Sequence, residues 1–233
     1  MHEINYNYDL SERDSIERNH ISSELAKIKE KRNITNCSVL ELGCGLGENL
    51  KVFSDDNNVL GIEGVPSIVE QAKRRNINVV LGNVEREINV EDSSQEFILC
   101  MDVLEHLQYP LELLVKARKK LKDNGCIIIN VPNHFDWKGR IKILFGSGLD
   151  VHNYFPNTYD WDNPHIRFFT YGGLKDLLHT AGFKIEEDHS ANFISIPLYN
   201  MFKCIKLNFI CELLAKKFPS LFAAGFFIVA SKQ

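Results

Sequence analysis

A chain of 233 residues with 44% apolar and 25% charged side chains has ordinary globular usage and the length of one α/β domain with elaborations. Its net charge of −4 and pI near 6.1 give no reason to expect nucleic acid as a partner, since its binders usually present a basic face. Six cysteines (Cys37, Cys44, Cys100, Cys126, Cys204, Cys211) form no C-x-x-C pair, and neither a secretion signal nor an apolar run of about 20 residues is present. Buried free thiols, no transmembrane segment and a reducing, cytoplasmic setting are therefore expected.

The opening residues 1–10 are polar and aromatic without periodicity and read as a loop or flap. From Ser11 to about Arg32, Ile16, Ile21, Leu25 and Ile28 fall near a 3.6-residue period, which predicts an amphipathic helix with Ser11 as N-cap and Asp14 in the first turn. Residues 1–36 thus form a helical lead, either packed on the sheet or covering a site mouth.

The next stretch, VLELGCGLGENL at 39–50, organises the rest. A short apolar run ends at Glu41, and Gly43, Gly45 and Gly47 follow before a segment able to turn helical, which reads as strand, glycine turn, helix. Glycine is required where the backbone takes positive φ or lets a ligand come close, and the helix start beyond it offers free N–H groups. The spacing separates the ligands. A dinucleotide fingerprint counted from Gly43 needs glycine or alanine at 48, where Glu48 stands, and the turn lacks the Lys-Ser/Thr of a phosphate loop.

A second strand, NVLGIE, ends at Glu63, 20 residues after Gly43, where an α/β nucleotide site sets a carboxylate against ribose hydroxyls; a solvated loop acid is the alternative. A helix over 66–76 with Pro66 in its first turn precedes the third strand, residues 77–85, and the turn Gly82-Asn83-Val84. The fourth strand, residues 94–102, runs into DVLEHL, placing Asp102 and His106 at a strand C-terminus, where open α/β sheets collect ligands. A helix over 110–121, stopped by Asn124-Gly125, leads to the largely apolar fifth strand 126–132, and such strands between helices imply a doubly wound, mostly parallel sheet covered on both faces.

Residues 133–163 break the pattern and suggest an insertion or lid, carrying Trp137, Tyr159 and Trp161 with Lys138, Arg140 and Lys142. Such aromatics and cations suit a sugar or phosphate-bearing substrate, or pack a core of their own. Thr170 then caps a helix over 174–180 that Ala181-Gly182 ends, with His165 and Arg167 ahead of the cap and expected on the site side. Residues 196–218, apolar on a broad face, read as the crossover to the last strand at 221–231 or as a membrane-surface or dimer helix, which leaves a homodimer open.

The E-x-G-x-G-x-G turn, Glu63, the Gly-Asn turn and DVLEHL together resemble the class I S-adenosylmethionine-dependent methyltransferases, in the small-molecule group of the ubiquinone-biosynthesis methyltransferases (methyltransferase types 11 and 23). The resemblance runs from about 37 to 131, with looser echoes at 164–189 and the C-terminus. It implies one methyltransferase domain over 1–233, a Rossmann-like sheet of seven strands with the last antiparallel, and a cap insertion over 133–168 after the fifth strand.

It also implies that S-adenosylmethionine is held, and S-adenosylhomocysteine left, by Glu41 on the ammonium or a water, by Gly43, Gly45 and Gly47, by Glu63 with Gly64 on the ribose, by Asn83 and Val84 on the adenine, and by Met101 and Asp102 beside the methyl-transfer zone. A hydroxyl acceptor would use a histidine base, His165 first and His106 second, with Trp137, Tyr159, Trp161 and Arg167 against the substrate and no metal. Quinone-precursor and N-methylation remain open within the family. A nicotinamide oxidoreductase, disfavoured by Glu48, and a non-catalytic partner subunit of the same fold are the readings from other classes.

Overall fold

The computed structural model describes residues 12–146, 165–204 and 206–233. Seven strands, β1 (Ser38–Leu42), β2 (Asn58–Glu63), β3 (Val79–Leu81), β4 (Gln95–Met101), β5 (Leu121–Pro132), β6 (Phe183–Asp188) and β7 (Gly225–Lys232), take the order β3-β2-β1-β4-β5-β7-β6. β1 pairs in parallel with β2 and β4, β2 with β3, and only the last strand, β7, pairs antiparallel, with β6. This is the mostly parallel sheet that the strand pattern predicts, with the reversed last strand that the family resemblance implies. The chain divides into two compact units: residues up to Met101 with Lys116–Ile127, and Asp102–Val115 with Ile128–Gln233.

In the first unit, α1 (Glu12–Arg32) buries Ile21, Leu25 and Ile28, three of the four residues of its predicted apolar stripe. Each such side chain contributes roughly 1.5–3 kcal/mol of transfer free energy. Lys29 Nζ donates to the Val52 carbonyl at 3.0 Å. Ser11, its expected cap, lies outside the described residues, as do residues 1–10. The glycine turn gives way to the single helical turn α2 (Glu48–Lys51), and Pro66 opens α3 (Pro66–Arg74), whose Val69 and Ala72 form a core cluster with Cys44, Leu50, Ile77 and Val79.

One boundary departs from expectation. Helix α4 (Pro110–Lys120) ends before Asn124-Gly125, because the N–H groups of Ser93 and Ser94 take the Lys119 and Lys120 carbonyls at 2.9 and 3.0 Å. Leu121 is then fully buried as the first residue of β5. Gly125 lies inside that strand, where a Cβ would stand 3.0 Å from the Gln95 and Lys122 carbonyl oxygens. Its smallness serves strand packing, not a helix stop.

In the second unit, DVLEHL makes one 3-10 turn at Leu104–His106 instead of entering the helix directly. After β5, Asp136 caps the short helix α5 (Trp137–Leu144) by accepting from the Gly139 N–H at 2.8 Å. Thr170 caps α6 (Tyr171–Thr180) by accepting from the Gly173 N–H at 3.0 Å, and Gly182 at φ 81° ends it, both as the sequence predicts. The crossover between β6 and β7 carries α7 (Tyr199–Cys204), α8 (Asn208–Lys217) and α9 (Pro219–Phe222). That last turn holds the start of β7 back to Gly225, four residues later than expected. Among the described residues no helix is long and apolar enough to cross a membrane.

Candidate active site

The glycine turn has the backbone its sequence requires. Gly43, Gly45 and Gly47 sit at φ 67°, 52° and 78°, in the left-handed region that costs other L-residues roughly 1–2 kcal/mol each. At Gly47 space excludes a side chain as well, since a Cβ would lie 2.6 Å from Ile77 Cγ2. The turn is latched to β2 by the N–H groups of Gly43 and Cys44, both donating to the Ile62 carbonyl.

Glu63, at the end of β2, is buried and turns back on this loop. Its Oε2 accepts from the Gly45 N–H and its Oε1 from the Val65 N–H, each at 2.9 Å. The solvated loop acid is thereby excluded. A carboxylate has about four acceptor directions, so two such bonds leave capacity for a pair of hydroxyls. Glu41 is buried too, and its Oε1 accepts from Asn49 Nδ2 at 2.8 Å, while Asn49 Oδ1 accepts from Ser22 of α1 at 3.4 Å. Asn49 was not singled out in the sequence, although it lies just past the turn on the helix that the turn launches.

Cys44 packs against β2 where that strand has Gly61, whose added Cβ would meet the sulfur at 2.4 Å. Burial first, then the charges of Glu41 and Glu63, push its thiol well above the ordinary range, so it is a core residue and not a nucleophile. Glu48, which breaks the dinucleotide pattern, pairs with Arg75 at 2.6 Å and ties α2 to the end of α3. Asn83 is exposed, and its Oδ1 accepts from the Glu85 N–H at 2.9 Å, closing the turn beside buried Val84. Gly64 is exposed, with the Gly82 carbonyl oxygen 3.7 Å from where a Cβ would stand, and Met101 is buried.

The second unit gathers a different set of groups. Asp102 adopts φ 53°, a left-handed conformation uncommon outside glycine, and Asn130 holds it there twice. The Asp102 N–H donates to the Asn130 carbonyl at 3.0 Å, and Asn130 Nδ2 donates to Asp102 Oδ1 at 2.5 Å. Next along, Glu105 is 1% exposed, and neither carboxylate oxygen has a hydrogen-bond partner. Burial, and then the nearby Asp102 charge, hold its carboxyl well above the usual range.

The His106 and His165 rings stand 4.7 Å apart between centroids at 60°, and His165 Nδ1 lies 2.9 Å from Nε2 of buried His134. The structure thus brings the two expected histidines together and adds a third, His134, and Asn130. Both were legible only as polar residues at the C-terminal end of an apolar strand. Arg167 is tied into the scaffold: its Nη2 donates to the Gln108 carbonyl at 2.6 Å, and the N–H groups of Ile166 and Arg167 donate to the Glu105 carbonyl.

Trp137 lines a hollow of about 640 Å³ with Lys138, Ser195, Pro197, Tyr199 and Met201. Tyr159 and Trp161 lie outside the described residues.

Comparison with known proteins decides the family. A methyltransferase-domain family model matches residues 13–188. The chain belongs to that family. An uncharacterized protein of Methanocaldococcus jannaschii is 30% identical over 171 residues, 69% of this chain and 66% of its own. A ubiquinone biosynthesis O-methyltransferase of Hydrogenovibrio crunogenus is 24% identical over 71% of this chain and 70% of its own. The solved S-adenosylmethionine-dependent methyltransferase of Archaeoglobus fulgidus shares the fold at a TM-score of 0.60 and 21% identity, covering 92% of this chain and 94% of its own. The chain spans 30 to 66% of the length of the first three curated relatives it matches.

For a methyltransferase of this class the implied cofactor is S-adenosylmethionine, and the residues present fit it. The turn at Gly47 excludes a Cβ, three positive-φ residues bare their backbone, and Glu63 offers a fixed carboxylate beside them. Bound there, the cofactor would be held by Glu41, Gly43, Gly45, Gly47, Glu63 and Asn83, all of the first unit.

Proposed function

We propose that this protein transfers a methyl group from S-adenosylmethionine to a hydroxyl of a small molecule. The observation that carries the cofactor assignment is the Glu63 carboxylate fixed on the Gly45 N–H inside a positive-φ glycine turn. When bound, S-adenosylmethionine supplies a methyl already activated on a sulfonium, so the protein's work is orientation, which can contribute several kcal/mol.

The hydroxyl acceptor is favoured by the imidazoles of His106, His165 and His134. His165 is the first candidate to take the hydroxyl proton, on Nε2, because its Nδ1 is engaged by His134. Trp137 and Lys138 beside the 640 Å³ hollow suit a sugar or a phosphate-linked acceptor, as in surface-polysaccharide precursors. A quinone precursor, the acceptor class in the name of the Hydrogenovibrio relative, is the second reading. An acceptor panel of nucleotide sugars, sugar phosphates and catechols, read by S-adenosylhomocysteine release, separates the two. His165→Ala is expected to lose turnover on the accepted compound with unchanged cofactor affinity; wild-type turnover in that variant removes the base assignment.

A further inference from the structure

Glu105, His106 and His165 bring one carboxylate oxygen and two imidazole nitrogens within 4.8 Å of one another. The Glu105 carboxylate is 1% exposed and has no hydrogen bond on either oxygen, while the exposed Asp102 carboxylate adds negative charge nearby. Such an arrangement is costly by itself, because a buried carboxylate without donors forgoes its solvation. It becomes favourable when something positive occupies the space between the groups. Arg167 does not supply that charge: its guanidinium goes to the Gln108 carbonyl.

We infer that Glu105, His106 and His165 form a binding site for a divalent first-row metal cation, with Asp102 as a further acidic neighbour. One carboxylate and two imidazoles suit Mn²⁺, Fe²⁺ or Zn²⁺ better than an oxygen-seeking Mg²⁺ or a thiolate-seeking ion. Metal-ligating histidines are usually oriented through the second ring nitrogen, and His134 Nε2, 2.9 Å from His165 Nδ1, is placed for that. His165 Nε2 then becomes the ligand atom. The backbone holds the pieces in register: the N–H groups of Ile166 and Arg167 both bond the Glu105 carbonyl, fixing the His165 segment to the 3-10 turn that carries Glu105 and His106. This site does not depend on the acceptor proposed above. With a cation bound, His165 Nε2 is a ligand and no longer takes the hydroxyl proton, so the base assignment holds for the metal-free protein alone and the His165→Ala result is read on metal-depleted and metal-loaded protein separately.

The test uses full-length protein depleted of metal by a chelator, without S-adenosylmethionine or acceptor. MnCl₂ is titrated with free Mn²⁺ followed by electron paramagnetic resonance. Mn²⁺ is chosen because a hard ion avoids thiols such as exposed Cys204. One saturable site per chain is expected, with a raised thermal midpoint, and His106→Ala and His165→Ala should each weaken binding at least tenfold while keeping the native circular dichroism. Glu105→Gln should do the same; because Glu105 is buried, the half-buried histidines keep the test sound if that variant fails to fold. Lack of saturable binding of Mn²⁺ or of Zn²⁺ up to millimolar concentration overturns the site, as does binding unchanged in the double histidine variant. An infrared carboxylic-acid band that is lost in Glu105→Gln but unmoved by cation overturns it too, since Glu105 would then be a buried neutral acid.

Discussion

The two units handle buried carboxylates in opposite ways. In the first, Glu63 is satisfied by two backbone N–H groups and Glu41 Oε1 accepts from Asn49, with only the buried Glu41 Oε2 accepting no hydrogen bond, so the glycine turn and its acids are a nearly finished cradle before anything binds. In the second, Glu105 is buried without a donor, Asp102 is held in a left-handed conformation, and three histidines crowd together. A finished cradle fits a ligand that every member of a family shares. An unsatisfied cluster has stored its cost where binding or chemistry can recover it.

The largest expected effect attacks the finished half. Glu63→Ala leaves the Gly45 and Val65 N–H groups without their acceptor and removes the ribose carboxylate. Hydrogen bonds to charged groups are worth roughly 1.5–3 kcal/mol, so affinity for S-adenosylhomocysteine should fall on the order of a hundredfold. Calorimetry reads this directly, and an unchanged affinity would detach the cradle from the cofactor. Next comes Gly47→Ala, which meets Ile77 at 2.6 Å and carries the positive-φ penalty. It should destabilise by on the order of 2 kcal/mol or more in urea unfolding.

The unsatisfied half is sharpened by Asn130→Ala, which removes the side-chain hold on Asp102 at φ 53° and keeps the main-chain bond. Turnover should drop about tenfold or more, while stability changes by about 1 kcal/mol and cofactor affinity hardly moves. A loss confined to cofactor affinity would instead place Asn130 with the cradle.

How much of this was legible follows from the same contrast. The strand, turn, helix unit at 39–50 and Glu63 could be read because glycine spacing and strand ends are local, and a carboxylate 20 residues on has one register. Asn130 and His134 could not, because their partners lie 28 and 31 residues away and only the fold brings them together, and Asn49 could not, because no pattern marks which residue past the turn reaches back to Glu41. The Asn124-Gly125 helix stop failed for a kindred reason: the carbonyls that end α4 are captured by Ser93 and Ser94, which no pattern within 110–125 reveals.

The smallest effect lies away from both sites. Burial would raise the Glu96 carboxyl, but Lys122 and the Ser38 N–H outweigh it and hold it below the ordinary range. A depressed folded-state value stabilises above the unfolded-state value and is lost as pH falls through the folded one. Glu96→Gln should therefore cost under about 1 kcal/mol at pH 7 and nothing measurable near pH 3, checked by urea unfolding at both. An equal cost at both would assign the effect to packing.

The most direct test of the central claim is calorimetric titration of the purified protein with S-adenosylmethionine and S-adenosylhomocysteine, with NADH as control. One-to-one micromolar binding of both sulfur nucleotides and no heat from NADH are expected. NADH binding, or silence from all three with the protein folded, would contradict that claim.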